Sequence, residues 1–217
     1  MTYEQIPGWF DFGPLYDDMV RRARREGVFV EVGAYLGRST VYLASAVQRS
    51  RKRIRLYVID LWDGWFYDGY RAQTPMPDAA EVYWQFLRNM HSCGVGHCVC
   101  PLKLPSERAT GLFADGSVDF VYLDGDHGRE AMRRDLDAWF PKVRPGGFLG
   151  GHDYLNDDFP GARRAVDDFC SEHGLPLRSF PGPAGGSFLL GKPGPGRLAR
   201  AVRKARRLLS PLIGSSK

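Results

Sequence analysis

Val28-Phe29-Val30-Glu31-Val32-Gly33-Ala34-Tyr35-Leu36-Gly37-Arg38-Ser39-Thr40 is the stretch on which the fold turns. Val28 to Val32 has the composition of a strand buried on both faces, the glycines after it allow a tight turn, and Ser39 can cap a helix. On the amino-terminal side, 16–26 reads as a charged, Ala/Arg-containing helix ended by Gly27. On the carboxyl side come a helix over 39–48 and a strand over 55–60, closed by Asp60. Residues 61–78 then break into Trp, Tyr, Gly and Pro, an irregular insertion. The alternation resumes with a helix over 79–91, a strand over 97–102 and a short helix over 106–113. A strong strand follows at 118–124, then a helix over 129–143 stopped by Pro145-Gly146-Gly147, and a strand at 148–151. A helix over 162–173 and strands at 177–180 and 187–191 close the pattern. Short β-rich runs alternating with helices predict an α/β fold, an open doubly wound sheet of seven strands, mostly parallel with one antiparallel edge strand.

The chain's 217 residues suffice for one domain with its own core, expected over 1–191, and 43% hydrophobic with 25% charged residues is ordinary for a globular protein. The net charge of +5 belongs to one end. Seven of the 30 Lys/Arg lie within 197–217, where there is no acid, so the body holds 23 basic against 25 acidic residues. Nucleic acid is therefore not expected as a partner, since the body lacks the basic face such binding needs. Residues 192–196 read as a Pro/Gly linker, and the tail to 217 as a basic amphipathic helix able to touch an anionic membrane. No apolar run approaches a membrane span and residues 1–10 carry no secretory pattern, so a cytoplasmic, membrane-peripheral location is expected. Cys93, Cys98 and Cys100 cluster with His91 and His97, but the spacings C-x4-C and C-x-C are not those of zinc sites; reduced thiols are expected.

The chemistry concentrates at the ends of strands. Counted from Gly33, a dinucleotide fingerprint would need glycines where the chain has Tyr35 and Arg38, and no phosphate loop ending in Gly-Lys-Ser/Thr is present. A nicotinamide-dependent oxidoreductase is disfavoured accordingly. Asp60, closing the second strand, can accept hydrogen bonds from ribose hydroxyls, with Asp63 as the nearby competitor. Asp124-Gly125-Asp126-His127 follows one strand and His152-Asp153-Tyr154 the next, so both clusters face one crevice. Asp124 and Asp153 can share a hard divalent cation such as magnesium, with His152 or water completing it, and His127 can take a proton from an acceptor hydroxyl.

These motifs resemble the class I S-adenosylmethionine-dependent methyltransferases. They are most similar to the small metal-dependent O-methyltransferase group of macrolide-sugar and catechol type, over about residues 27–191. The resemblance implies a Rossmann-like sheet that holds S-adenosylmethionine. Glu31 and Gly33 would border its methionine end, Asp60 its ribose and Ser106 its adenine. Tyr35, Gly37, Ser39, Leu61, Trp62 and Asp124 complete the implied cofactor-binding set. Asp124, His152 and Asp153 fall on the metal positions, with Mg2+ the implied ion, and His127 on that of the catalytic base. Pro105 stands where such enzymes often carry Asp, and His152 where they more often carry Asp or Asn.

The expected reaction is O-methylation of a small-molecule or glycosyl hydroxyl. N-methylation and a non-catalytic scaffold on the same fold are the alternatives, and a homo-oligomer is left open. The aromatic insertion over 61–78 suits a lid that keeps water from the site.

Overall fold

The computed structural model describes residues 1–63, 79–194 and 196. Residues 64–78 of the expected lid and the basic tail from 197 lie outside the described residues.

Seven strands form one sheet in the order β3-β2-β1-β4-β5-β7-β6. They are β1 (Glu26–Val32), β2 (Arg53–Asp60), β3 (Val99–Lys103), β4 (Val118–Leu123), β5 (Val143–Gly151), β6 (Leu177–Phe180) and β7 (Ser187–Gly191). The first five run parallel, and β7 pairs antiparallel with both β5 and β6. One strand is reversed, as expected; it lies one place in from the edge, because β6 pairs on its outer side.

The helices are α1 (Gly13–Arg22), α2 (Arg38–Ser50), α3 (Ala79–Ser92), α4 (Ser106–Ala109), α5 (Arg129–Trp139) and α6 (Pro160–His173). They divide between the two faces of the sheet, and the strands show why. Phe29, Phe120 and Tyr122 point towards α1, α2 and α3, packing with Leu15, Val41 and Phe86. Their neighbours Val30, Val121 and Leu123 point the other way, onto Trp139 of α5 and Phe169 of α6. This period of two on both faces explains the unbroken apolar runs of the central strands, since every residue of β4 is buried. No helix among the described residues is long and apolar enough to cross a membrane.

Several boundaries differ from the sequence expectation. The helix placed at 16–26 is α1, which starts earlier at Gly13 with Pro14 in its first turn and stops at Arg22. The helix placed at 129–143 ends at Trp139, and Pro145-Gly146-Gly147 lies inside β5. Wholly buried Val143 already pairs with Val118, and the next pair is Phe148 with Phe120. The surplus residues are absorbed as a bulge, with Gly146 at φ 76°. Cys98 falls in a 3-10 turn (Gly96–Cys98) just before β3, and the four cysteines are free thiols.

Candidate active site

The strand order reverses between β1 and β4, and a cavity of about 630 Å³ opens at the carboxyl ends of the strands there. Its floor is built by close backbone approach. Gly33, at φ 83°, lies so near the end of β4 that a Cβ would stand 2.0 Å from the Asp124 carbonyl oxygen. Only glycine fits there. Three non-glycine residues near the cavity, Tyr35, Trp62 and Asp153, also have left-handed φ of 49°, 44° and 56°. Such conformations persist where surrounding contacts enforce them, often at functional sites.

Asp60 enforces the first two. Its Oδ2 accepts from the amides of Ala34 (2.8 Å) and Tyr35 (3.0 Å), and its Oδ1 from the amide of Trp62 (2.8 Å). Burial pushes its carboxyl upward against these three donors. A carboxylate offers about four acceptor directions, so one remains on a residue that lines the cavity, enough for one of the two ribose hydroxyls to which the sequence pointed. The indole N–H of Trp62 donates to the Tyr35 carbonyl at 2.9 Å, closing the two loops on each other.

The cavity wall brings together Gly33, Tyr35, Ser39, Asp60, Leu61, Ser106, Asp124, His127, His152 and Asp153. Glu31, Gly37 and Trp62, placed in the same set on sequence grounds, do not line it. Glu31 is 1% exposed, accepting from Tyr16 Oη (2.9 Å) and Thr40 Oγ1 (2.5 Å), and burial raises its carboxyl. Gly37 packs beneath α3, where a Cβ would stand 2.3 Å from Met90 Cε. Trp62 is buried against Tyr83 and Phe86. These three shape the loops around the cavity.

At the β4–β5 end, Asp124, His152 and Asp153 each offer a ligand atom within 4.8 Å of the others, the one such group among the described residues. His152 Nδ1 lies 3.2 Å from Asp153 Oδ2 and 3.5 Å from Asp124 Oδ1. Burial would lower His152, but Asp124, Asp11 and Asp153 together raise it to about 10. Asp124 is pushed up to about 7, chiefly by burial and by the neighbouring Asp153 and Glu31, against His152. Two carboxylates and an imidazole nitrogen are a donor set for a divalent ion, the carboxylates suiting magnesium or manganese and the imidazole iron or zinc. The residues fit a metal whose binding displaces the Nδ1 proton that His152 holds at neutral pH.

His127 stands beside this cluster, its Nδ1 3.2 Å from Asp153 Oδ2 and its ring 4.9 Å from that of Phe159. Burial lowers its pKa despite Asp153, so the ring is neutral near pH 7. With its proton on Nδ1, the ring can accept a second at Nε2. Asp126 serves the turn instead, accepting from the Gly128 amide at 2.8 Å.

Sequence reasoning missed six contributing residues. Asp11, before α1, bonds His152 Nε2 at 3.0 Å. Pro7, Gly8 and half-exposed Trp9 form part of the cavity wall. Arg38 also lines it, donating from Nη1 to the Gly8 carbonyl at 2.7 Å. Asp135 of α5 accepts from Ser106 Oγ at 2.6 Å, while Trp139 Nε1 donates to that same oxygen at 2.8 Å. Ser106 is thus held by protein groups at the cavity edge. No spacing rule links such distant positions, although an acid between two aromatics in Phe10-Asp11-Phe12 is a weak local signal.

Residues 30–154 match the family described as "Methyltransferase domain". An uncharacterized protein of Sinorhizobium fredii, y4gI, is 24% identical over 151 residues, which are 70% of this chain and 16% of that protein. The chain thus spans about a sixth of that relative's length. Among solved structures, a putative caffeoyl-CoA O-methyltransferase from Staphylococcus aureus superposes with a TM-score of 0.62 at 12% identity, covering 87% of each chain. An O-methyltransferase from Bacillus cereus in complex with SAH superposes with a TM-score of 0.58 at 16% identity, covering 83% of this chain and 80% of the other. At these identities the likeness is one of fold.

Proposed function

This chain belongs to the methyltransferase-domain family, and from that premise we propose that it transfers the methyl group of S-adenosylmethionine to a hydroxyl oxygen of a small-molecule or glycosyl acceptor. The observation that carries the reading is the buried pair of His127 and Asp153, opening on the same cavity as the Gly33–Ser39 loop. Gly33, Tyr35, Ser39, Asp60, Leu61 and Ser106 would hold the methyl donor. Asp124, His152 and Asp153 would hold a divalent cation. When bound, the donor supplies an electrophilic methyl on a cationic sulfonium, and the cation supplies polarisation of the acceptor oxygen.

The protein's own part is proton removal and alignment. An alcohol is too weak an acid to ionise at neutral pH, so a base must take its proton as the oxygen attacks. His127 Nε2 suits that role, because burial keeps the ring neutral and Asp153 stabilises the imidazolium once it forms. Fixing acceptor and donor in line within the cavity can contribute about 7–11 kcal/mol to the barrier reduction.

The test is methyl transfer from labelled donor to a panel of hydroxylated acceptors. His127→Ala should lower kcat by about 10²–10⁴-fold with donor affinity unchanged, and chelation should abolish turnover. Activity that survives His127→Ala and is insensitive to chelation would favour transfer to nitrogen, whose lone pair needs neither base nor metal.

A further inference from the structure

The segment before α1 and the turn between β6 and β7 meet over the carboxyl end of β5, and Asp11 sits where they meet. Its Oδ1 lies 3.0 Å from His152 Nε2, and its Oδ2 accepts from the Ala184 amide at 2.7 Å. The side chain is 6% exposed. Gly182 packs against it so closely that a Cβ there would stand 2.2 Å from Oδ2. The same turn also presses on the cluster, since a Cβ on Gly185, at φ 117°, would lie 2.5 Å from Asp153 Oδ1. Both ring nitrogens of His152 therefore face carboxylates, Nε2 towards Asp11 and Nδ1 towards Asp124 and Asp153.

We propose that Asp11 is a positioning residue for the metal cluster: by accepting the Nε2–H of His152 it fixes the tautomer and ring plane that offer Nδ1, beside Asp124 and Asp153, to a divalent cation. The inference rests on the metal reading given above. An imidazole ligand presents one nitrogen to the ion and must satisfy the N–H of the other. A carboxylate in that place orients the ring and raises its basicity. Asp11 does so from 141 residues away in sequence, and its second oxygen ties the β6–β7 turn to the same point. Asparagine cannot replace it. Two donors converge on the two carboxylate oxygens, and an amide has one oxygen, so it can serve His152 or Ala184 but not both.

The experiment is a Mn2+ titration followed by electron paramagnetic resonance of the free ion, on the wild-type protein, Asp11→Asn and Asp11→Ala. The nearly isosteric Asn variant guards against a misfolded Ala variant. Affinity for S-adenosylhomocysteine is measured alongside by calorimetry. Asp60 stands three strands from β5 in the sheet, so a specific role leaves this second affinity within about twofold. Mn2+ affinity should fall about 10- to 100-fold in both variants. Wild-type Mn2+ affinity in Asp11→Asn would overturn the role of Asp11 and leave the cluster standing as a metal site. A parallel loss of both affinities would overturn it by showing general loosening. Failure of the wild-type protein to bind Mn2+ would remove the metal reading and this role with it.

Discussion

Asp135→Asn should make the ligand-free protein more stable at neutral pH, by an amount that grows with pH. Asp135 is 9% exposed and its carboxyl is pushed to about 6 from an ordinary 3.8, chiefly by burial, against the hydrogen bond from Ser106. The folded protein therefore holds this proton more tightly than the unfolded chain. Below about pH 4 both states are protonated and the group is neutral in its effect. As pH rises through about 6 the folded state is progressively penalised. Above that both states are ionised and the penalty is complete, at about 3 kcal/mol. About half of it develops between about pH 5 and about pH 7.5. An amide at 135 still accepts the Ser106 hydroxyl and does not ionise, so it escapes the whole dependence. Urea unfolding of both proteins across that pH range measures it: the stability difference should widen in favour of Asn with rising pH. A difference that stays constant, or that narrows, would refute the reasoning.

At the opposite end of the sheet, Asp119 is 3% exposed and accepts from Arg24, Arg144 and the Val28 amide. Burial would raise its carboxyl, but the two arginines hold it below the ordinary range. Asp119→Ala should cost about 3 kcal/mol by chemical denaturation, the lower end for a buried pair, since Arg24 can turn into water; a loss below about 1 kcal/mol would contradict it. Gly33→Ala should cost more than about 2 kcal/mol, because a left-handed φ and a collision with the Asp124 carbonyl act together, and a wild-type melting temperature would contradict that.

The central strands were legible because burial on both faces writes itself as an unbroken apolar run, as in Val118 to Leu123. β5 was read short because Pro145-Gly146-Gly147 has the composition of a stop. Only pairing of Val143 with Val118 reveals that the strand carries these residues as a bulge. In the site, Asp124, His127, His152 and Asp153 were legible because all lie within four residues of the end of β4 or β5, so sheet topology gathers them. Asp11 and Asp135 were not. Asp11 reaches His152 through the packing of the chain's first segment, and Asp135 resembles any polar helix position until α5 turns it inward to Ser106. Glu31 and Trp62 sit at the right ends of their strands, but pattern cannot tell a residue that lines a cavity from one that braces the loop behind it.

The most direct test of the central claim is calorimetric titration of S-adenosylhomocysteine into the purified protein, wild type and Asp60→Ala. Asp60 both holds the two loops at the cavity and lines it. Micromolar binding by the wild type that is lost in Asp60→Ala is the predicted result. No heat at any of several temperatures, or equal affinity in the two proteins, would contradict the assignment of this cavity to the methyl donor.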